Sequence, residues 1–314
     1  MRDGDRSTPL FVYAGGVNYF LEMQEMISAL DFKGIIYAIG LTDFNRPAND
    51  PPSVEDEVRV AYAAIKAVHP EGPYRLAGFS FGGVLALELA RKMTAEGDEA
   101  ALVFMIDSPQ NDHSWPWKDW AGVMLKIVSA QVQRKIRVRE RRQALREEPV
   151  PSTGGADRRP RFNHEILFRF RNPRNPRYPI YAPQWAGGYT PRYGKAAKQL
   201  LQMKGLFRPK AYDDKVVFVR SKGGSAGDVD SKIMWQRYLP KAEWIDTPGN
   251  HLSMMMGRNA RVLANYLDEK LETAADSPIA RLRSLARQSK SDRSTGRPVN
   301  DGTDASDIEP TTAA

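Results

Sequence analysis

Tyr74-Arg75-Leu76-Ala77-Gly78-Phe79-Ser80-Phe81-Gly82-Gly83 is the stretch on which the reading of this chain turns. Tyr74–Ala77 reads as a short buried strand, and Gly83–Met93, rich in Ala and Leu, reads as a helix. Between them, a serine flanked by glycines occupies a strand-to-helix turn. Such a turn is sharp enough to expose the Ser80 hydroxyl above the sheet, and it needs glycines because side chains would collide there. A bare G-x-S-x-G pattern is weak evidence. The strand before it and the helix after it make it a candidate nucleophile. Two other readings compete: a close-packed turn without chemistry, and a phosphate-binding loop. The chain lacks G-x-x-x-x-G-K-[ST], and Gly78, Gly82 and Gly83 do not have G-x-G-x-x-G spacing.

Outward from this stretch, further apolar runs predict strands at Leu10–Ala14, Ile35–Ile39, Ala101–Ile106 and Val216–Val219, with a weaker one at Glu243–Asp246. Glu55–Val68 places Val58, Tyr62, Ile65 and Val68 on one helical face. Strands alternating with helices predict an α/β domain over residues 1–273, a mostly parallel sheet with helices on both faces. The alternation breaks at Asp112–Pro209. A long helical stretch, Lys118–Glu148, is dense in arginine over Arg134–Arg146, and proline-rich segments follow at Pro149–Pro160 and Arg171–Pro183. This predicts a helical lid inserted at about 112–209. From about residue 274 apolar content falls away, and Ser284–Ala314 reads as a disordered polar tail.

Composition narrows the function classes. A chain of 314 residues with 41% hydrophobic residues can bury a large core. It has no cysteine, which excludes disulfides, thiolate metal sites and cysteine nucleophiles and fits a cytoplasmic protein. No apolar run of membrane-spanning length occurs, and Met1–Thr8 lacks the apolar core of a signal peptide. The net charge of +8 points to an acidic partner. Nucleic acid is disfavoured as that partner: the arginines are interleaved with Glu140, Glu147 and Glu148, and no nucleic-acid motif surrounds them.

Ser80 needs a base, and the chain has four histidines. His69 precedes Pro70 at a helix end, His113 follows a strand, and His164 lies in the insertion. His251 follows the last predicted strand, where the base of a Ser-acid-His chain order falls. Two acids compete to orient it. Asp107 emerges at the end of the strand Ala101–Ile106. Asp228 lies in the looser glycine-rich loop after Val216–Val219 and is the alternative. An oxyanion hole needs two backbone N–H groups; Phe81, after the nucleophile, is one candidate. Ala14, in the turn Ala14-Gly15-Gly16, is the other, with Gly15 as the alternative.

These segments together resemble the thioesterase domains of nonribosomal peptide, polyketide and fatty acid synthases, which have the α/β-hydrolase fold. Phe11-Val12-Tyr13-Ala14-Gly15-Gly16 resembles that family's opening strand and oxyanion turn, and Tyr74–Gly83 its nucleophile elbow. Phe104-Met105-Ile106-Asp107-Ser108-Pro109 resembles the segment bearing the aspartate of chain-terminating members. Pro248-Gly249-Asn250-His251 resembles the histidine loop. Tyr13 and Ala14 depart from the pattern, standing where a His-Pro or Pro-Pro pair is expected, and the insertion is longer and more basic. The resemblance implies a serine hydrolase that releases an acyl, polyketide or peptidyl chain from phosphopantetheine through a Ser80 acyl-enzyme, by hydrolysis or cyclisation. It implies an acyl or peptidyl carrier protein as partner and no metal or organic cofactor of its own. A carboxylesterase or lipase acting on small esters, and a non-catalytic binding module using the basic insertion, are the competing functions.

Overall fold

A computed structural model describes residues 2–16, 19–41, 52–110, 115–122, 191–224 and 230–275, with helical positions 125, 129, 132 and 133. His113, His164, Asp228, the arginine-dense stretch 134–146, the proline-rich segments and the tail from 276 lie outside the described residues.

Among the described residues six strands form one sheet: β1 (Asp5–Tyr13), β2 (Gly34–Ile39), β3 (Tyr74–Phe79), β4 (Ala100–Ile106), β5 (Val216–Ser221) and β6 (Ala242–Thr247). Their order is β2-β1-β3-β4-β5-β6, and every neighbouring pair is parallel. Every residue of β3 is buried. That is the expected state of a central parallel strand, which presents apolar side chains to helices on both faces. β1 starts five residues before its apolar run because Asp5 pairs with Gly34 at an exposed end, where no apolar residue is needed.

Helices α2 (Val54–Val68), α3 (Phe81–Ala95), α4 (Pro191–Leu206) and α5 (Ser231–Trp235) pack on one face around Phe11, Leu76, Met105 and Phe218. Helices α1 (Gln24–Ala29) and α6 (Gly257–Ala275) cover the other face around Val12, Ala77, Phe104 and Val219. Local sequence explains where these helices begin. Ser53 caps α2 by accepting the Asp56 N–H at 3.0 Å, and Glu55, Asp56 and Glu57 place acidic side chains in its first turn. In α6, Ala260, Leu263, Ala264, Leu267, Leu271 and Ala274 form one buried stripe at helical spacing. Each buried leucine there contributes about 1.5–3 kcal/mol. Within the insertion, Ala196, Leu200 and Met203 of α4 join the same apolar cluster as α2 and α3. The last part of the insertion is therefore a core helix.

The order of connections matters for function. From β1 the chain goes outward to β2, then crosses back to β3 on the other side of β1. The carboxyl ends of β1 and β3 flank this reversal, and a crevice at such a switch point is where open α/β sheets bind ligands.

Candidate active site

Four strand ends meet at this edge through register alone. Tyr13 is paired with Gly78, Phe79 with Ile106, and Ile106 with Val219. Ala14, Ser80 and Asp107, just beyond Tyr13, Phe79 and Ile106, and Ser221, the last residue of β5, consequently lie on adjacent strands.

Ser80 sits between β3 and α3 with φ 54° and ψ −125°, a backbone state that costs a non-glycine residue about 1–3 kcal/mol. Its N–H donates to the Ile106 carbonyl at 2.8 Å, which ties the strained turn to β4. The glycines around it are explained by contact. A Cβ on Gly78 would run into the Gly82 carbonyl, and one on Gly82 would lie 2.6 Å from the Tyr13 and Ala14 carbonyl oxygens. A Cβ on Gly15 would lie 2.6 Å from the Ser80 Cβ. The turn after β1 therefore touches the candidate nucleophile. Phe81 opens α3, so its N–H belongs to the first turn, where helices have no internal acceptors.

Asp107 also has positive φ, 42°, and its side chain is fully buried. Its N–H donates to Val219 O at 2.8 Å. Its Oδ2 lies 2.7 Å from His251 Nδ1. That contact calls for the proton to sit on Nδ1, donated to the carboxylate, and leaves Nε2 as the basic nitrogen. The Phe79 ring stacks on the imidazole, with centroids 4.8 Å apart and planes 25° from parallel. The histidine loop is anchored to the loop after β5: the His251 N–H donates to Gly224 O at 3.2 Å, and the Gly223 N–H to Gly249 O at 2.7 Å. Ser221 completes the cluster, with its Oγ 3.1 Å from Asp107 Oδ2. Sequence reasoning missed Phe79 and Ser221. Phe79 lies inside the serine motif and could have been noticed; nothing local marks Ser221.

His69, the other described histidine, ends α2, where its N–H donates to Ile65 O at 2.7 Å; its ring meets Phe11 and Tyr74. It stands on the far side of β3 from the Ser80 turn, next to the strand's first residue. Among the described residues no group of three or more His, Asp or Glu side chains converges as a metal site, and no helix is long and apolar enough to cross a membrane.

Among the described residues a cation stands beside the elbow. The ammonium of Lys204 in α4 lies 5.5 Å from the centre of the Phe81 ring. Its enclosure by protein pushes it down to about 8. Because this value lies below that of an unfolded lysine, the folded state binds the proton less tightly. Lys204 thus weakens the fold below pH 8, and the cost fades as pH rises toward the ordinary lysine range.

Comparison with known proteins places this geometry. The thioesterase domain family model matches residues 10–148. Atromentin synthetase invA5 of Paxillus involutus is 34% identical over 122 residues, which cover 38% of this chain and 13% of that protein. The chain thus matches only a small part of its curated relative. The NocB thioesterase domain, solved in covalent complex with a fluorophosphonate nocardicin G analog, superposes with a TM-score of 0.53 at 21% identity, covering 86% of this chain and 95% of that one. The four-domain nonribosomal peptide synthetase holo-AB3403, bound to AMP and glycine, superposes with a TM-score of 0.53 at 18% identity, covering 85% of this chain and 20% of that one. By its sequence over residues 10–148 this chain matches the thioesterase domain family, and by its fold it is of the kind found in the thioesterase domains of nonribosomal peptide synthetases.

Proposed function

We propose that the chain is a chain-releasing thioesterase that works through a Ser80 acyl-enzyme, with His251 as general base and Asp107 as the acid that orients it. The observation that carries this reading is the Asp107–His251 contact of 2.7 Å at the sheet edge shared with the strained Ser80 turn.

His251 Nε2 takes the Ser80 Oγ proton as Oγ attacks the thioester carbonyl. The oxyanion of the tetrahedral intermediate is held by the backbone N–H groups of Phe81 and Ala14. The C–S bond breaks, and the departing sulfur receives the proton from His251. In the second half, His251 deprotonates water, or an amine or hydroxyl of the acyl chain itself. That oxygen or nitrogen attacks the acyl-enzyme, and Ser80 Oγ leaves with the proton. The products are a free acid, or a lactone or lactam. Asp107 stays ionised throughout and stabilises the imidazolium. The thiol arm is phosphopantetheine on an acyl or peptidyl carrier, either fused or separate. The chemistry uses no metal or organic cofactor of this chain.

The test compares wild type with Ser80→Ala on an acyl-pantetheine thioester and on a p-nitrophenyl ester, alongside labelling by a fluorophosphonate probe. Wild type should label and should favour the thioester. Ser80→Ala should not label and should lose about a millionfold in kcat. Turnover near wild type in Ser80→Ala would overturn the nucleophile assignment. A preference for the simple ester would make the chain a carboxylesterase.

A further inference from the structure

We propose that Ser221, at the end of β5, is a positioning residue that holds the Asp107 carboxylate in place for His251. The proposal rests on the triad reading above and adds a fourth group to it.

The argument begins with what the carboxylate must satisfy. Asp107 is buried, so its oxygens need donors supplied by protein. His251 Nδ1 supplies one to Oδ2. The neighbouring strand supplies others from a single residue. The Ser221 Oγ lies 3.1 Å from the same Oδ2, and the Ser221 N–H points at Oδ1 from 3.4 Å. Ser221 therefore reaches both carboxylate oxygens and limits rotation of the group about its Cβ–Cγ bond. Without that restraint, Asp107 could turn Oδ2 away from the imidazole while staying buried.

The hydroxyl has one proton and two acceptors within reach, Asp107 Oδ2 and Gly224 O at 2.9 Å. An ionised carboxylate is the stronger acceptor, so the proton goes to Asp107 when the acid is charged. Gly224 O also receives the His251 N–H. Ser221 thus lies against both the acid and the loop segment that anchors the histidine. A merely structural serine at a strand end has no need to contact both.

The consequence for catalysis has a defined sign. With the Ser221 hydroxyl removed, Oδ2 loses a donor and leaves more negative charge to hold an imidazolium. The acid limb of the kcat/KM profile then moves to higher pH. A looser carboxylate also orients the imidazole less well, which lowers kcat without touching substrate binding.

The experiment uses the full chain with an acyl-pantetheine thioester and compares Ser221→Ala, Ser221→Thr and Ser80→Ala. Ser221→Ala should lower kcat by about tenfold, the usual scale for one hydrogen bond to a charged group, and leave KM unchanged. Its acid limb should move up in pH, and the low-field NMR signal of the His251 Nδ1 proton should shift. Ser221→Thr keeps the hydroxyl and should restore all three readouts. If Ser80→Ala is dead while Ser221→Ala matches wild type, the positioning role is overturned alone. Equal losses in Ser221→Ala and Ser221→Thr, with lower thermal midpoints, would mark a packing role and overturn it as well. Turnover surviving Ser80→Ala would bring down the triad reading, and this proposal with it.

Discussion

The turn that carries Ser80 and the loop that carries His251 are built by opposite means. Ser80 is nine-tenths or more enclosed, and Phe79, Phe81, Gly82 and Gly83 around it are buried. Its shape is held by close contact: the Tyr13 and Ala14 carbonyls fill the space where a side chain on Gly82 would stand, and Ser80 Cβ and Phe79 O the space where one on Gly15 would stand. The histidine loop, Gly249–Met256, buries Met254 and Met255 in the core, but the stretch around His251 is part exposed and is held by hydrogen bonds. Asn250 Oδ1 accepts the N–H groups of Leu252 and Ser253 at 3.2 and 2.9 Å, the Asn250 N–H donates to Ser253 Oγ at 2.8 Å, and Asn259 Nδ2 donates to Ser253 O at 2.9 Å. The proposed nucleophile, Ser80, is fixed by close packing, and the proposed base, His251, sits in a loop tied by hydrogen bonds. A base that must receive a proton on one side of the reaction and return it on the other tolerates small movement. A nucleophile aimed at one carbonyl does not.

Four substitutions test this contrast. The largest effect is expected where the two parts meet. Asp107→Asn keeps the shape of the contact but offers the imidazole the wrong hydrogen-bonding partner, and kcat should fall by about ten-thousandfold. Asp228→Asn should cost little in the same assay. The reverse ranking would move the acid to the loop after β5 and separate the histidine loop from β4.

Next comes Gly15→Ala. Its Cβ would lie 2.6 Å from the Ser80 Cβ and 2.7 Å from Phe79 O, and the second of these is backbone that has no free room to move. The elbow must shift, so kcat should fall by about a hundredfold. Urea unfolding should show a loss of about 1–3 kcal/mol from the same overpacking. A variant with wild-type kcat would show that the elbow is less rigid than its contacts imply.

The smallest effect is expected for Asn250→Ala, which removes the side-chain acceptor of the loop. Its hydrogen bonds are exposed, and stability should fall by only about 1–2 kcal/mol. kcat should drop by about tenfold, from a less well aimed imidazole, and KM should hold. A loss as large as that of Gly15→Ala would erase the contrast between the two parts.

Sequence alone was enough for the parts of this molecule whose physics is local. The central strands were legible because parallel strands buried on both faces leave uninterrupted apolar runs, whereas β6, a half-exposed edge strand, left only a weak one. The elbow was legible because a strained turn at Ser80 demands glycines at fixed offsets. The stripe of α6 is equally legible, in the helical spacing of Ala260, Leu263, Leu267 and Leu271. Asp107 and His251 were nameable as candidates from strand ends and chain order. What no local pattern held was their distance: the 2.7 Å contact joins residues 144 positions apart and exists because β4, β5 and β6 stack in register. The same holds for Ser221, an ordinary strand-end serine until β5 is set beside β4, and for the covering of the sheet by α4, whose separation from β4 hid its place in the core. Periodicity and turn chemistry are written along the chain. Which strand ends share an edge is decided by burial of both sheet faces at once, a property of the whole fold.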